Sequence, residues 1–417
     1  MLPKMGEIAF TLAARGVAMI GPLVVSVVTA RALGPADRGV YFLVMSYAQV
    51  AAQVANLGLH SSNTYLGATR HDLVSRLLVN SLYIAVLVAP VAALAIALLL
   101  GWPQALGMSS PETSSAGPVA LMAVLLAPLI VAMLYVSNLA VGIGKVLLFN
   151  ALTIGYSVLV VLLSGAVWIA RGGVLWFLFA SAAAVAIVCM VGAAALLRGH
   201  PLSWAFDRGL FRQGVAFAFK AYLSTMFSFL MVRVGILALQ QHASLTEVGL
   251  FSIAVQLTDG LSQLPATIGI LLFPMMMRTE AGQRKGSMWR AFWGLGGTMF
   301  AILVVGGIAA QWLIPLLFGP AYQKSLPLTL AMFPQLLLLS FITVVSQFLA
   351  AEGYPWRQVW AWIIGFVIQA VLSYWLTAVW GGFGVAVSQA ISFGIILVIL
   401  MGEVFATKHV SDTTNGY

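Results

Sequence analysis

VLWFLFASAAAVAIVCMVGAAALL, residues Val174 to Leu197, carries no charged side chain, and Arg171 and Arg198 stand just outside it. Coiled as an α-helix it would measure ~36 Å, enough to cross a bilayer hydrocarbon core of ~30 Å. The rest of the chain repeats this pattern. About twelve stretches of suitable length and apolarity follow one another. The first six fall near Ile8–Ala32, Val40–Leu66, Leu77–Leu100, Pro118–Val141, Leu147–Ile169 and Val174–Leu197. The second six fall near Gly214–Leu239, Val248–Met276, Met288–Leu313, Leu326–Ala350, Trp356–Val379 and Phe383–Ala406.

Composition agrees. Of 417 residues, 62% are hydrophobic and 7% charged, against about 25% charged in soluble domains. No soluble fold of this size has an interior large enough to hide so much apolar surface. The expected fold class is therefore all-α, a polytopic membrane protein. The basic residue at mid-chain, Arg198, opens a longer loop that divides the chain into an N-terminal group, 1–200, and a C-terminal group, 201–417.

The net charge of +9 is a topology signal and does not point to nucleic acid. With the N-terminus inside, the cytoplasmic loops and ends hold Lys4, Arg70, Arg76, Lys145, Arg198, Arg208, Arg212, Arg278, Arg284, Lys285, Arg290, Arg357 and Lys408. The outer side holds only Arg31, Arg38, Arg171 and Lys324. That asymmetry satisfies the positive-inside rule with both termini in the cytoplasm, and the expected location is a bacterial inner membrane. Reporter fusions should read 101–117 as outside, and 198–213 and the C-terminus as inside. A periplasmic C-terminus would overturn this topology. Lys4, the apolar run after it and Ala30-Arg31-Ala32 imitate a signal peptide, but the run is too long and is interrupted by Arg15 and Pro22, so it reads as a retained first helix. The one cysteine, Cys189, lies in an apolar span and reads as a small core residue.

Polar residues inside the spans carry the functional signal. The second span holds Ser46, Gln49, Gln53, Asn56, His60 and Asn63, spaced by three or four and so expected on one helical face. The eighth holds Ser252, Gln256, Asp259, Gln263 and Thr267 at the same spacings. A shift of 210 positions lays Gly39 on Gly249, Gln49 on Asp259 and Gln53 on Gln263, so the halves read as parallel repeats. Two readings of the stripes stand side by side: interhelical hydrogen bonding, worth ~0.6 kcal/mol per pair, and the wall of a wet cavity. Arg15, Lys220 and Arg233 are cations within spans. Each either snorkels to a headgroup layer or makes a cavity positive, and Asp259 either pairs with one of them or takes part in a coupling-ion site. Neither a P-loop, a Cys or His metal set nor a nucleophile elbow is present, so no cofactor, no resident metal and no enzymatic activity are expected.

RALGPADRGVYFLVMSYAQVAAQVANLGL, Arg31 to Leu59, combines an LGP turn, a G-x-Y and a later LGL. VGLFSIAVQLTDGLSQLPATIGILLFP, Val248 to Pro274, LLFGPAY, Leu316 to Tyr322, and GGFGVAVSQAIS, Gly381 to Ser392, follow in order. Together these resemble the polysaccharide flippases, O-antigen and exopolysaccharide type, of the multidrug/oligosaccharidyl-lipid/polysaccharide exporter superfamily. The resemblance implies two six-helix lobes in a V around a central cavity, working by alternating access. It implies a polyprenyl-diphosphate-linked oligosaccharide as cargo, moved from the cytoplasmic to the periplasmic leaflet. Other polysaccharide assembly proteins are implied as partners, together with the lipid bilayer. Arg15 and Lys220 are the positions that fit the family's basic cavity residues; with Arg233, Gln49, Gln53, Asn56, Gln256 and Gln263 they make the candidate substrate site. The other readings are a multidrug extruder of the same superfamily, for which Asp259 is the only central carboxylate, and a membrane glycan polymerase or ligase, for which the loop 101–117 lacks Lys, Arg and His.

Overall fold

The computed structural model describes residues 5–99, 116–198, 204–353 and 355–406, with the backbone alone at 5–15, 71, 99, 116–118, 120 and 281. Helices account for the regular structure among these residues. In the first part of the chain they are α1 (Met5–Ala55), α2 (Leu59–Thr69), α3 (Val74–Leu99), α4 (Ala116–Gly142), α5 (Val146–Ile169) and α6 (Val174–Leu197). There follow α7 (Arg208–His242), α8 (Leu245–Arg278), α9 (Ala281–Phe318), α10 (Ser325–Ala331), α11 (Phe333–Ala351), α12 (Trp356–Trp380) and α13 (Gly382–Ala406). Among the described residues, 11 helices are long and apolar enough to cross a membrane.

The twelve expected spans and these helices differ in three places, each with a local cause. The first two spans run on as α1, which turns at Gly34, whose φ of 70° and ψ of 176° leave the helical region. Pro35 follows and disfavours helical backbone at the residue before it. The second span is not continuous: it stops at Ala55 and resumes at Leu59. The tenth expected span, Leu326–Ala350, is divided between α10 and α11, with Pro334 in the first turn of α11 where its missing N–H costs nothing.

The chain forms two compact units, Met1–Met226 and Phe227–Tyr417, and the division falls inside α7. In the N-terminal unit, α3, α4 and α5 bury Leu78, Val131, Tyr135, Leu139 and Leu152. The 204–207 segment is held in this unit. Asn80 donates to the Asp207 carbonyl at 2.8 Å and accepts from the Asp207 N–H at 2.8 Å, and the Asp207 carboxylate caps the Leu210 N–H at 3.0 Å. The C-terminal unit buries Met231, Phe393, Ile396 and Leu400 around α7, α11 and α13.

Lipid tails are as apolar as leucine, so membrane helices associate through close packing and hydrogen bonds, not through a hydrophobic drive. Gly142 shows the first: a Cβ there would lie 2.6 Å from the Thr64 carbonyl oxygen and 2.8 Å from its Cα. The second joins α12 to α13. Gln369 donates to Ser373 at 2.8 Å and Ser388 at 3.2 Å, and accepts from Ser392 at 3.1 Å, all four side chains being buried.

Candidate functional site

The N-terminal stripe is interrupted. Leu57 (φ 50°) and Gly58 (φ 78°) are both left-handed, which ends the helix at Ala55 and restarts it at Leu59. Six residues spaced for one face therefore do not share one helix. At membrane depth, backbone groups freed by such a break require partners, and side chains supply them. Tyr222 donates to the Val54 carbonyl at 2.7 Å, Tyr135 to the Asn56 carbonyl at 3.0 Å, and the Asn56 side-chain oxygen accepts from the His60 N–H at 3.3 Å. The Asn56 amide also meets His60 Nδ1 at 2.6 Å. Asn56 is thus a buried structural residue at the joint, fully enclosed, which tells against a substrate contact in this conformation.

Burial sorts the rest of both stripes. Ser46, Asn63 and Ser252 are buried, and Asn63 donates to Ser81 at 2.7 Å. Gln49, Gln53, Gln256 and Thr267 are half-buried, and Gln263 is exposed. Each stripe therefore has both buried and open members. Single cysteines at Gln49, Gln53 and Gln263, in a Cys189→Ala background, should label with a polar thiol reagent. Cysteines at Asn63 and Ser252 should not; labelling of both groups alike would erase the distinction.

In the C-terminal unit, Arg233 donates to Asp259 across 2.9 Å, from α7 to α8, and its guanidinium lies 5.6 Å from the Phe229 ring centre. Arg233 therefore pairs across the unit instead of reaching outward to headgroups, and Asp259 has it as its ion-pair partner. Beside the pair lies a cavity of about 60 Å³ lined by Thr258, Asp259, Ser262, Gln335 and Gln389 among others. Gln389 is 1% exposed and neither atom of its amide has a hydrogen-bond partner; the Gln335 Oε1 likewise has none. Among the described residues, these amide atoms are left without partners, and a buried amide without a partner is costly. Gln335 and Gln389 escaped the sequence reading, which followed only the two long stripes. Their signal was simply a glutamine inside an apolar span.

The cations divide as follows. Arg15 lies in α1, with its side chain outside the described residues. Lys220 is half-buried on α7. Arg38, expected in an outer loop, is 3% exposed: it donates to the Ser26 carbonyl at 2.9 Å, to the Ser26 hydroxyl at 2.6 Å and to the Thr29 hydroxyl. It clamps the two halves of α1 across the Gly34 turn. Arg31 and Lys324 are exposed. The loop 101–117 and the residues 199–203 fall wholly or mostly outside the described residues.

The family model described as polysaccharide biosynthesis protein matches residues 6–280. Among solved structures, the chain is similar to the lipid II flippase MurJ in an inward closed conformation. The TM-score is 0.69 and the identity 13%, over 95% of this chain and 87% of that one. It is similar also to an inward-facing multidrug resistance MATE family transporter of the MOP superfamily, with TM-score 0.73 and 14% identity over 97% and 99% of the two chains. The eukaryotic MATE transporter AtDTX14 has TM-score 0.67 and 13% identity over 96% and 94%. At these identities the likeness is one of fold. No curated protein sequence matches the chain.

Proposed function

We propose, because this chain belongs to the polysaccharide biosynthesis protein family, that it carries a polyprenyl-diphosphate-linked oligosaccharide from the cytoplasmic to the periplasmic leaflet of the inner membrane. The observation that carries the reading is that family match, over more than half of a chain whose fold is similar to those of MurJ and the MATE transporter over 95% and 97% of its length. The sequence resemblance to the same superfamily agrees with both. The cargo leaves unchanged, as surface-polysaccharide assembly requires, and the two repeats work by alternating access.

Chemistry assigns the parts. A diphosphate needs cations in a region of low dielectric, where a charge is expensive unless it has a use. Arg15 and Lys220 supply them from the cytoplasmic halves of the first and seventh spans. Gln49, Gln53, Gln256 and Gln263 offer amide donors and acceptors to sugar hydroxyls. Asp259, with Arg233 and the adjoining cavity of Gln335 and Gln389, serves the coupling ion. A multidrug extruder would need further central carboxylates for cationic drugs, and Asp259 is the one acid near the middle of a span.

Cells lacking the protein should accumulate the lipid-linked glycan on the cytoplasmic leaflet, and this is the decisive measurement. Arg15→Ala should lower export about tenfold with normal protein abundance, as expected for losing one charge-assisted contact of ~1.5–3 kcal/mol. Lys220→Ala should act in the same direction, less strongly. Full export by Arg15→Ala protein would remove that residue from the site. No accumulation on deletion would remove the flippase reading itself.

A further inference from the structure

On the N-terminal unit, Tyr65 of α2 and Phe217 of α7 stack with ring centres 4.1 Å apart and planes 16° from parallel. Both remain open, at 48% and 54% exposure. Large exposed aromatics on a membrane protein ordinarily face lipid or anchor an interface. The surroundings of this pair argue otherwise.

The buried face of α2 is formed by Leu59, Ser62, Asn63, Leu66 and Gly67. Its open face consists of His60, Ser61, Thr64, Tyr65, Ala68 and Thr69. That face carries no aliphatic side chain larger than alanine's, so it is unsuited to hydrocarbon and suited to water. On α7 the buried ridge is Gly214, Ala218 and Tyr222. By helical geometry Phe217 stands in line with the exposed Gln213 and the half-buried Lys220, away from Phe219 and Leu223. The stacked pair therefore joins two polar stripes.

The joint at Asn56–Gly58 brings this about. The Gly58 backbone sits against Tyr222 and Ala218, where an added Cβ would lie 2.9 and 3.0 Å from their Cβ atoms. Ser62 packs against Gly214 in the same way, its hydroxyl 2.6 Å from where a Cβ would stand. These contacts lay α2 along α7 and bring Tyr65 over Phe217.

An aromatic face is electron-rich, and the C–H bonds of one face of a pyranose ring carry partial positive charge, while its hydroxyls radiate sideways. An open aromatic plate bordered by hydroxyl, amide and ammonium groups matches both features at once. We infer that Tyr65 and Phe217 form a stacking platform for a sugar ring, with Gln213 and Ser61 placed at its rim for the hydroxyls and Lys220 beside it for the diphosphate. In the expected topology the pair lies toward the cytoplasm, where loading occurs. This inference rests on the flippase reading and specifies how its cargo is recognised.

The test uses full-length protein in lipid nanodiscs and two probes, farnesyl diphosphate and farnesyl diphosphate bearing one glucose. Wild-type protein should bind the glucosylated probe about tenfold more tightly, equivalent to ~1.4 kcal/mol. Phe217→Ala and Tyr65→Ala should each remove most of that preference while leaving affinity for the bare diphosphate unchanged. Phe217→Trp and Tyr65→Phe should retain it. Equal binding of both probes by the wild type, or an undiminished preference in Phe217→Ala, overturns the platform and leaves the flippase reading standing. Binding of neither probe by the wild type overturns both.

Discussion

Arg233→Ala should destabilise the protein by about 1–3 kcal/mol and abolish transport. Removing one member of an ion pair withdrawn from water strands the other, a loss of ~3–5 kcal/mol when the pair is fully buried. Here the Arg233 side chain is 13% exposed and that of Asp259 36%, so solvent softens the penalty. Asp259→Ala should cost a similar amount, because it strands the Arg233 guanidinium, which lies 5.6 Å from the Phe229 ring centre. The Arg233→Ala/Asp259→Ala double variant should recover much of the stability without recovering transport. Thermal unfolding of the four proteins in one detergent closes the cycle. A double variant as unstable as the sum of the singles would deny the pair its coupling. A double variant that transports normally would leave the pair structural and remove Asp259 from the ion path.

Gly58→Ala should be strongly destabilising, because it adds a backbone penalty to a steric one. Its φ of 78° costs an L-residue ~1–2 kcal/mol, and the new Cβ would stand 2.9 Å from Tyr222 Cβ and 3.0 Å from Ala218 Cβ. Relief requires α2 to shift from α7, which also strains the 2.7 Å bond from Tyr222 to the Val54 carbonyl. Gly144→Ala provides the control. Its φ of 76° carries the same backbone penalty, yet nothing lies within 4 Å of a Cβ there. Gly58→Ala should therefore unfold at a clearly lower temperature than Gly144→Ala and show weaker glycan export. Equal effects of the two would mean that backbone conformation alone matters and that the packing of Gly58 on α7 does not.

The helical class and the approximate spans were legible because choice of solvent is nearly additive along a chain. Twenty apolar residues in a row have only one environment that suits them, whatever their neighbours elsewhere. The positions of the intramembrane polar residues were equally plain, since each stands against an apolar background. What they do was less plain. Ser46 and Gln49 belong to one expected stripe, but one is buried and the other half-open, a distinction made by which helix lies alongside.

The joint at Asn56–Gly58 left a faint mark, an Asn-x-Gly in a helical pattern, where an isolated glycine suggests a break. The polar spacing of three and four runs straight across it and hid it. Arg38 misled in the opposite direction. A charge four residues past a Gly-Pro reads as a loop residue, yet it folds back onto Ser26 and Thr29.

By itself, then, the sequence determined that this chain spans a membrane many times as helices, and where its polar residues fall along them. The superfamily resemblance arose from the order of short turns in that same string. Tertiary structure alone decided that Arg233 meets Asp259, that Gln335 and Gln389 close on a shared cavity, and that tyrosines 79 and 168 residues distant repair the broken second span. Such pairings depend on helix rotation and on close approach at small residues. In lipid these are fixed by packing and hydrogen bonds between elements remote in sequence, and no local pattern records them.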